Sequence, residues 1–307
     1  MAAAHSNATE MSENRSWHSI HALLTDKPQR LALAGAPLVK ESLTTCRYDL
    51  APDTIRAALK RLSVYDLEAQ IDLSDLRIQD FGNLPISDLT PANAFEPLAT
   101  AVSKSRRQSD LTIVLGGHNG VTRPSVHGIG SLDSVGLLTL DAHFDLRDTD
   151  GGLNNGNPIQ ALLEDGMPGA HISQIGLAPF ANTRKAHAKA LQAGICVKTL
   201  SECFELGFVR LVVGELNRLA DSCSTIYVDF DIDVIDRAQM PSAPGARVGG
   251  IPARDFFSAA RTIAAHPKVH CVDLVEFDPG MDVHSTGALI AARWLAEILA
   301  GFSVRKI

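Results

Sequence analysis

Apolar runs alternate along most of the chain with stretches whose apolar residues recur at helical spacing. The apolar runs predict β-strands at residues 30–37, 110–117, 135–140, 173–177, 225–232 and 269–277. The stretches with helical spacing predict helices at residues 51–62, 90–102, 158–166, 183–193, 208–219, 252–265 and 286–300. Two shorter apolar segments, 64–67 and 71–73, predict strands at the edge of the sheet.

Strands that are apolar throughout are typical of a parallel sheet with helices on both faces. The sequence therefore predicts the α/β class, with a central, mostly parallel sheet. No repeat, low-complexity tract or linker interrupts the alternation, so we expect one domain over residues 19–307. Residues 1–18 are mostly small and polar and predict a flexible N-terminal tail.

The composition adds constraints on partners and location. Hydrophobic residues make up 45% and charged residues 21%, as in ordinary globular proteins. The net charge of −7 argues against a nucleic-acid partner. No segment approaches the roughly 18 consecutive apolar residues of a membrane span. The five cysteines are widely spaced without a C-x-x-C pair, so we expect reduced thiols and a cytoplasmic location.

Asp141, His143 and Asp145 directly follow the predicted strand 135–140. Alternate residues of an extended chain point to the same side, so these three side chains should converge. Carboxylates together with imidazole suit Mn²⁺, Fe²⁺, Ni²⁺ or Zn²⁺ better than Mg²⁺ or Ca²⁺. A helix cap, a core histidine and a solvated acid would each be reasonable alone, but their grouping at one strand end indicates a metal site.

A second acidic group ends the predicted strand 225–232. It consists of Asp229, Asp231, Asp233 and Asp236, with apolar residues between them. An exposed acidic edge strand is the alternative, but it does not fit these apolar residues. Buried carboxylates without a partner or a metal are costly. Since ligands of parallel sheets bind beyond the carboxyl ends of the strands, we expect both acidic groups to share a pair of divalent ions.

Two further strand ends carry polar residues. A Gly-Gly pair permits a tight turn after the predicted strand 110–117 and places His118 and Asn119 at the rim. A turn without any ligand role is an equal alternative for this segment. Glu276 emerges from the last predicted strand, where its carboxylate could bind a guanidinium or amidinium group. An internal ion pair with an arginine is the alternative for Glu276.

The order of these motifs resembles that of the ureohydrolases, which comprise arginases, agmatinases, guanidino-acid hydrolases and formimidoylglutamases. The shared features are the Gly-Gly turn, Asp-Ala-His-x-Asp at 141–145, Asp-x-Asp-x-x-Asp at 231–236 with a downstream Ala-Pro-Gly, and Val-Glu at 275–276. The resemblance runs from about residue 31 to residue 301. It implies a three-layer α/β/α sandwich, two bound Mn²⁺ ions and a homo-oligomer.

The resemblance also implies a role for each metal ligand. Asp141 and Asp231 would bridge the two ions. Asp145 would complete the coordination of one ion, and His143 with Asp233 that of the other.

The two ions would lower the pKa of a water molecule and supply hydroxide for attack on an amidine or guanidine carbon. Asp145 would carry the proton to the leaving amine, and Glu276 would orient the cationic group of the substrate.

Polar residues near the metal motifs are candidates for substrate binding. The loop after the first motif contains three asparagines with free hydrogen-bonding capacity, Asn154, Asn155 and Asn157. Arg147 and Arg184 could bind a substrate carboxylate, and we favour Arg147 because it follows the metal ligands closely. A structural ion pair is the alternative for Arg147.

Two positions depart from the family pattern. The family usually has a ligating histidine where this chain has Asn119, so either Asn119 binds metal through its amide oxygen or His118 does. Asn155 stands where arginases and agmatinases have a histidine that is thought to relay protons. Formimidoylglutamases also lack that histidine. We therefore expect a formimidoylglutamase, which converts N-formimino-L-glutamate and water into L-glutamate and formamide.

Two other functions stay open at this point. A guanidino-acid hydrolase, agmatinase or arginase would use the same site and release urea. A degenerate, non-catalytic member of the family would bind fewer than two metal ions and turn over no amidine.

Overall fold

The structure is a computed structural model that describes residues 18–306. The strands in this part of the chain are β1 (Leu24–Thr25), β2 (Leu31–Ala36), β3 (Tyr65–Asp66), β4 (Ile71–Asp72), β5 (Ile78–Asn83), β6 (Leu111–Gly116), β7 (Val135–Leu140), β8 (Ile172–Leu177), β9 (Cys196–Thr199), β10 (Thr225–Asp231) and β11 (Val269–Val275). The α-helices are α1 (Ala51–Ala58), α2 (Pro91–Arg106), α3 (Thr122–Ile129), α4 (Pro158–Glu164), α5 (Arg184–Ala193), α6 (Leu200–Leu206), α7 (Phe208–Ser222), α8 (Ala253–Ala265) and α9 (Thr286–Ser303).

Capping residues set several of the helix ends. Thr90 precedes α2, and its side chain accepts a hydrogen bond from the backbone N–H of Asn93. Thr183 caps α5 in the same way, and Gly194 ends that helix in the left-handed conformation. These local signals explain why the predicted helices begin within a residue of their expected positions.

Nine strands form the main sheet, in the order β1-β5-β2-β6-β11-β10-β7-β8-β9. Every strand pair of this sheet is parallel within residues 18–306. Parallel strands need crossover connections, and helices supply most of them here. The prediction of an α/β fold with a central, mostly parallel sheet is confirmed.

The helices cover the two faces of the sheet with two separate apolar layers. Side chains of α1, α6, α7, α8 and α9 pack on one face. Side chains of α2, α3, α4 and α5 pack on the other. Alternate residues of β10 divide between the layers, since Val228 and Phe230 belong to the first and Tyr227 to the second. The fold is therefore a three-layer α/β/α sandwich.

An aromatic cluster marks the centre of the first layer. Phe230 of β10 meets Phe256 of α8 and Trp294 of α9 edge to face, with ring centroids 5.5 and 5.3 Å apart. All three side chains are fully buried. The polar residues that precede and follow Phe230 in β10 point to the opposite face of the sheet.

The segments 64–67 and 71–73 do not extend the main sheet, so that prediction is wrong. They contain β3 and β4, which pair only with each other, in antiparallel register, within the described part of the chain. Each strand has two residues, and none of these residues is fully buried. Such short, half-exposed strands can close a hairpin but contribute little to a buried sheet. The edges of the main sheet are β1 and β9.

The N-terminal tail predicted over residues 1–18 lies outside the described residues, except for His18. The backbone carbonyl of His18 accepts a hydrogen bond from the N–H of Val64 at 3.1 Å. None of the helices between residues 18 and 306 has the length and apolar character that crossing a membrane requires.

Candidate metal centre

Four neighbouring strands deliver the polar residues of the site. The order β6-β11-β10-β7 places these strands side by side, and all run in the same direction. Asn119 follows β6, Glu276 follows β11, Asp231 ends β10 and Asp141 follows β7. The structure thus brings the two acidic groups together at the carboxyl edge of the sheet.

Asp141, His143 and Asp233 form a cluster of potential metal ligands. One donor atom from each residue lies within 4.8 Å of the donor atoms of the other two. His143 Nδ1 is 2.9 Å from Asp233 Oδ2 and 3.5 Å from Asp141 Oδ1. The backbone N–H groups of His143 and Asp233 donate to Asp141 Oδ1 and Asp231 Oδ1, at 2.6 and 2.9 Å. These two hydrogen bonds hold the carboxylates of Asp141 and Asp231 in place.

This cluster fits divalent cations. The residues Asp141, Asp231 and Asp233 are only 1%, 2% and 3% exposed, and so many buried carboxylates require positive charge nearby. Among the described residues, Asp141 Oδ2 finds no hydrogen-bond partner, as expected of an oxygen that binds a metal. A Cβ atom at Gly245 would lie 2.0 Å from Asp233 Oδ2, so glycine keeps that oxygen accessible.

Burial and neighbouring charges shift the pKa values of the cluster in different directions. Burial, and then the Asp233 carboxylate, raise the pKa of Asp141 to about 6. Burial also raises the pKa of Asp231 well above its usual value. Burial alone would lower the pKa of His143, but the Asp233 and Asp141 carboxylates raise it to about 11. The imidazolium therefore supplies the positive charge that a metal ion would supply in its place.

Asp145 lies beside this cluster in a left-handed backbone conformation, with φ at 50°. Its Oδ2 accepts a hydrogen bond from Asn119 Nδ2 at 2.7 Å. Burial, and then the charge of Asp141, raise the pKa of Asp145 well above its usual value. The burial and the neighbouring carboxylate therefore favour the neutral form of Asp145.

His118 is fully buried and turned away from the cluster. Its Nδ1 accepts a hydrogen bond from the N–H of Gly120 at 3.0 Å, and its Nε2 lies 2.8 Å from the carbonyl of Lys40 and donates to it. Both ring nitrogens are engaged by the backbone, so none is left for a metal ion. This arrangement corrects the expectation that His118 could serve as a ligand.

Asn119 points into the site, but its amide nitrogen rather than its oxygen faces the acids. Nδ2 donates to Asp145, whereas Oδ1 lies 2.7 Å from the hydroxyl of Thr122, which donates to it. Ligation through the amide oxygen would require this side chain to turn. In the arrangement described here, Asn119 holds Asp145 in place.

Glu276 lies at the inner wall of the site, with 5% of its surface exposed and φ at 64°. Tyr48 donates its hydroxyl to Oε2 at 2.5 Å, and the backbone N–H of Asn119 donates to Oε1 at 2.7 Å. Burial raises the pKa of Glu276 to about 7, against the opposing effect of these hydrogen bonds. The alternative ion pair with an arginine is not found within residues 18–306.

The three asparagines of the loop have different surroundings. Asn155 Nδ2 donates to both oxygens of Glu276. Asn154 lines the cavity, but its Oδ1 accepts from the N–H of Gly156 and so supports the loop. Asn157 is fully buried and donates to the carbonyl of Gly152 at 2.9 Å. The expectation that Asn157 binds substrate is corrected, because its amide is used within the loop.

A cavity of about 720 Å³ opens above the cluster. Arg147 is exposed on its wall, whereas Arg184 is not among the residues that line it. Lys185 also lines the cavity but forms an ion pair with Asp148 at 2.5 Å. Arg247 lines it as well, and its Nη2 lies 3.3 Å from His143 Nε2.

Two polar residues that contact the candidate site residues, Tyr48 and Arg247, were not among the residues named from the sequence. Tyr48 ends a polar segment, 41–48, whose position after the first predicted strand suits a loop near the site, but no motif connects its side chain to Glu276. Arg247 follows the Ala-Pro-Gly-Ala segment that ends at Ala246, so its position next to a family motif could have indicated it.

The remaining acids of the second group, Asp229 and Asp236, are not part of the cluster of Asp141, His143 and Asp233. Asp229 is fully buried within β10, in register with Asp273 of β11. Burial, and then the Asp273 carboxylate, hold the pKa of Asp229 well above its usual value. Asp236 Oδ1 accepts the backbone N–H of Ala238 at 2.8 Å and stabilises the turn after the metal ligands.

The fold and the site together define an α/β/α protein with a divalent-metal centre at the carboxyl edge of its sheet. A sequence model of the arginase family matches residues 29–301. The chain belongs to the arginase family and is a metal-dependent hydrolase of the ureohydrolase type. The resemblance inferred from the motifs is thereby confirmed.

Related proteins have similar sequences and folds. A formimidoylglutamase of Halalkalibacterium halodurans is 31% identical over 281 residues, which cover 90% of this chain and 88% of that protein. The crystal structure of formimidoylglutamase from Bacillus subtilis superimposes with a TM-score of 0.89 at 26% identity, covering 95% of this chain and 94% of that one. Trypanosoma cruzi formiminoglutamase with Mn²⁺ has the same fold, with a TM-score of 0.82 at 22% identity and coverage of 90% and 94%.

Proposed function

We propose that this protein hydrolyses linear amidines and that its substrate is N-formimino-L-glutamate, which it converts to L-glutamate and formamide. One observation carries the proposal. The cavity has a buried carboxylate, Glu276, at its inner wall and two arginines, Arg147 and Arg247, along its sides. Such a cavity suits a substrate with a cationic end and an anionic end. The similarity to formimidoylglutamases supports an amidine as the cationic end.

The proposed cofactor is a pair of Mn²⁺ ions. The residues that would hold them are Asp141, His143, Asp145, Asp231 and Asp233. The orphaned Asp141 Oδ2 and the mixture of carboxylate and imidazole donors support this assignment. When bound, two divalent ions lower the pKa of water and supply hydroxide at neutral pH.

The proposed role of Glu276 is to bind the cationic C–N group and to fix its orientation. Its carboxylate is rigid, because Tyr48 and the backbone of Asn119 both donate to it. A positioned carboxylate forms stronger hydrogen bonds to a cation than to a neutral group. It would therefore stabilise the substrate carbon in the orientation needed for attack by hydroxide.

The proposed role of Asp145 is to accept a proton from the attacking water and to pass it to the leaving amine. Its position beside Asp141 and at the wall of the cavity supports that role. Asn119 Nδ2 holds the Asp145 side chain through one oxygen and leaves the other available for the proton.

Arg147 and Arg247 would bind the carboxylates of the glutamate moiety. Arginine binds carboxylates through two parallel hydrogen bonds, and both side chains are exposed at the cavity. Lys185 is a weaker candidate, since Asp148 already neutralises it. A substrate without a carboxylate, such as agmatine, would gain nothing from these arginines. The proposed enzyme is a cytoplasmic homo-oligomer, as the sequence and the resemblance led us to expect.

The proposal is tested by offering the Mn²⁺-loaded protein four substrates: N-formimino-L-glutamate, 4-guanidinobutyrate, arginine and agmatine. Mass spectrometry would quantify formamide and urea. We expect formamide from formiminoglutamate and no comparable release of urea. Urea from a guanidine would replace the proposed substrate, and inactivity with all four compounds would favour a non-catalytic family member.

A further inference from the structure

The carboxylate of Glu276 is surrounded by hydrogen-bond donors of the protein itself. Tyr48 donates to Oε2 and the backbone N–H of Asn119 to Oε1. Asn155 Nδ2 lies 3.1 Å from Oε1 and 3.3 Å from Oε2. Because Nδ2 is within hydrogen-bonding distance of both oxygens, it lies in front of the carboxylate, between Oε1 and Oε2. A carboxylate accepts about four hydrogen bonds, so with these three donors in place an incoming ligand has to share an oxygen with Asn155 or displace it.

The amide of Asn155 has only one orientation that satisfies its neighbours. The backbone N–H of Leu43 donates to Asn155 Oδ1 at 2.9 Å. Since an N–H group can only donate, the amide oxygen must face Leu43 and Nδ2 must face Glu276. The loop is held as well, because the N–H of Arg147 donates to the carbonyl of Gly156 at 3.1 Å. Asn155 is therefore presented as a fixed donor.

The front of Glu276 is also the side from which a substrate approaches, since this carboxylate lies at the wall of the cavity. A guanidinium group has two terminal amino groups, which bind a carboxylate end-on through two parallel hydrogen bonds. A formimino group has one terminal amino group, and its carbon carries hydrogen in place of the second. A single amino group of the substrate can donate to one oxygen of Glu276 while Asn155 keeps its hydrogen bond to the other. The two amino groups of a guanidinium would occupy both oxygens and displace Asn155.

We propose that Asn155 makes this site select formimino groups over guanidino groups, because its amide covers the end-on face of Glu276. The inference rests on the proposed function and supplies a physical reason for its substrate class. A guanidino group gains its second hydrogen bond only by leaving the partly buried amide nitrogen of Asn155 without its carboxylate partner. Leaving a polar group unpaired in a site is an effective way to reject an analogue.

The experiment compares two ligands that differ at one carbon, N-formimino-L-glutamate and its guanidino analogue N-carbamimidoyl-L-glutamate. Calorimetry would give the dissociation constant of the analogue for the Mn²⁺-loaded full chain, and formamide release would give KM and kcat for formiminoglutamate. In Asn155→Ala we expect the analogue to bind about tenfold tighter or more. The KM for formiminoglutamate should change much less.

Three further variants support the comparison. Tyr48→Phe also removes a donor to Glu276 but leaves Asn155 in front of the carboxylate, so it should keep the wild-type preference. Asn217→Ala removes an exposed asparagine of α7 that does not line the cavity, and it should match the wild type in both measurements. Asn155→Ser, too short to reach Glu276, repeats the test should the alanine variant fail to fold.

The inference is overturned if Asn155→Ala keeps the wild-type ratio of the two affinities with normal Mn²⁺ content. An equal change in Tyr48→Phe would also overturn it, because the effect would then follow from any lost donor. The proposed function fails separately, if the wild-type chain releases no formamide. In that case the dissociation constants of the analogue still decide what Asn155 does.

Discussion

His143 lies between Asp141 and Asp233 and carries a proton whose loss these carboxylates oppose, with a pKa of about 11. A histidine binds a metal ion only as a neutral imidazole, so binding of a cation has to expel this proton. Asp141 has a pKa of about 6 for the opposite reason, since burial and a neighbouring acid stabilise its neutral form. Protons and metal ions therefore compete for the same atoms.

This competition predicts a pH dependence of metal binding. A raised carboxyl pKa means that the proton is bound more tightly, so lowering the pH through about 6 protonates Asp141 and weakens Mn²⁺ binding. Calorimetric titrations between pH 5 and pH 8, in buffers with different ionisation enthalpies, would give both the affinity and the protons released. We expect the affinity to rise with pH and protons to be released. An affinity that does not change over this range would contradict the assignment.

The spacing of residues indicates where some side chains of the site lie and leaves others undecided. Alternate residues of an extended chain share a direction, so the sequence alone places Asp141 and His143 together. His118 and Asn119 are adjacent and point in different directions, and the turn that decides between them depends on the carbonyl of Lys40. That contact joins residues 78 positions apart, which no local pattern contains.

Helix α3 begins immediately behind the metal centre, and its first residue connects the segment after β6 with strand β11. The hydroxyl oxygen of Thr122 lies 2.7 Å from Asn119 Oδ1 and 2.9 Å from Asp273 Oδ2. Both acceptors are buried, so each depends on donors within the protein. The start of this helix therefore supports the residue that holds Asp145.

Thr122→Val tests this support, because valine has the same shape but no hydroxyl group. The hydroxyl donates its one hydrogen to a buried acceptor, and leaving that acceptor unpaired costs about 1–3 kcal/mol, so urea denaturation should show a loss of unfolding free energy in that range. Thr122→Ser keeps the hydroxyl and should lose less. Equal stability of the valine variant and the wild type would show that the contact contributes nothing.

Strands β5 and β9 and helix α3 were not predicted, because their apolar residues form only a weak pattern. Strand β9 has four residues at the edge of the sheet and none is fully buried, so it lacks the apolar run of a central strand. Only two of the six residues of β5 are buried. Helix α3 contains a proline and a glycine, which obscure its helical spacing. The central strands were predicted because burial on both faces requires them to be apolar throughout.

At the scale of the whole molecule, one face of the sheet carries acidic residues of the site and the other carries the aromatic part of the core. The acids of β10 point to the face covered by α2 to α5, whereas Phe230 packs against α8 and α9 on the other. The aromatic cluster on that face stabilises the fold without contacting the metal centre. Mutations on the two faces should therefore affect different properties.

Phe256→Ala tests this separation, since Phe256 is fully buried and contacts Phe230 edge to face. Removing a buried phenylalanine side chain costs about 3–5 kcal/mol, and denaturation should show that loss. The folded fraction should still bind the wild-type amount of Mn²⁺ per chain. Phe204→Ala is the matched control, because that ring is 56% exposed and its removal should cost no more than about 0.5 kcal/mol. Loss of Mn²⁺ from folded Phe256→Ala protein would show that the two faces are coupled.

The most direct experiment measures formamide release from N-formimino-L-glutamate while Mn²⁺ is added stepwise to metal-free protein and the bound ions are counted. We expect no formamide without a divalent ion and a rate that rises until two ions are bound per chain, because hydroxide at neutral pH depends on the metal pair. Asp231→Ala, which lacks a proposed metal ligand, should stay inactive throughout. Formamide release without metal, or full activity of Asp231→Ala, would contradict the two-metal amidine hydrolase proposed for this chain.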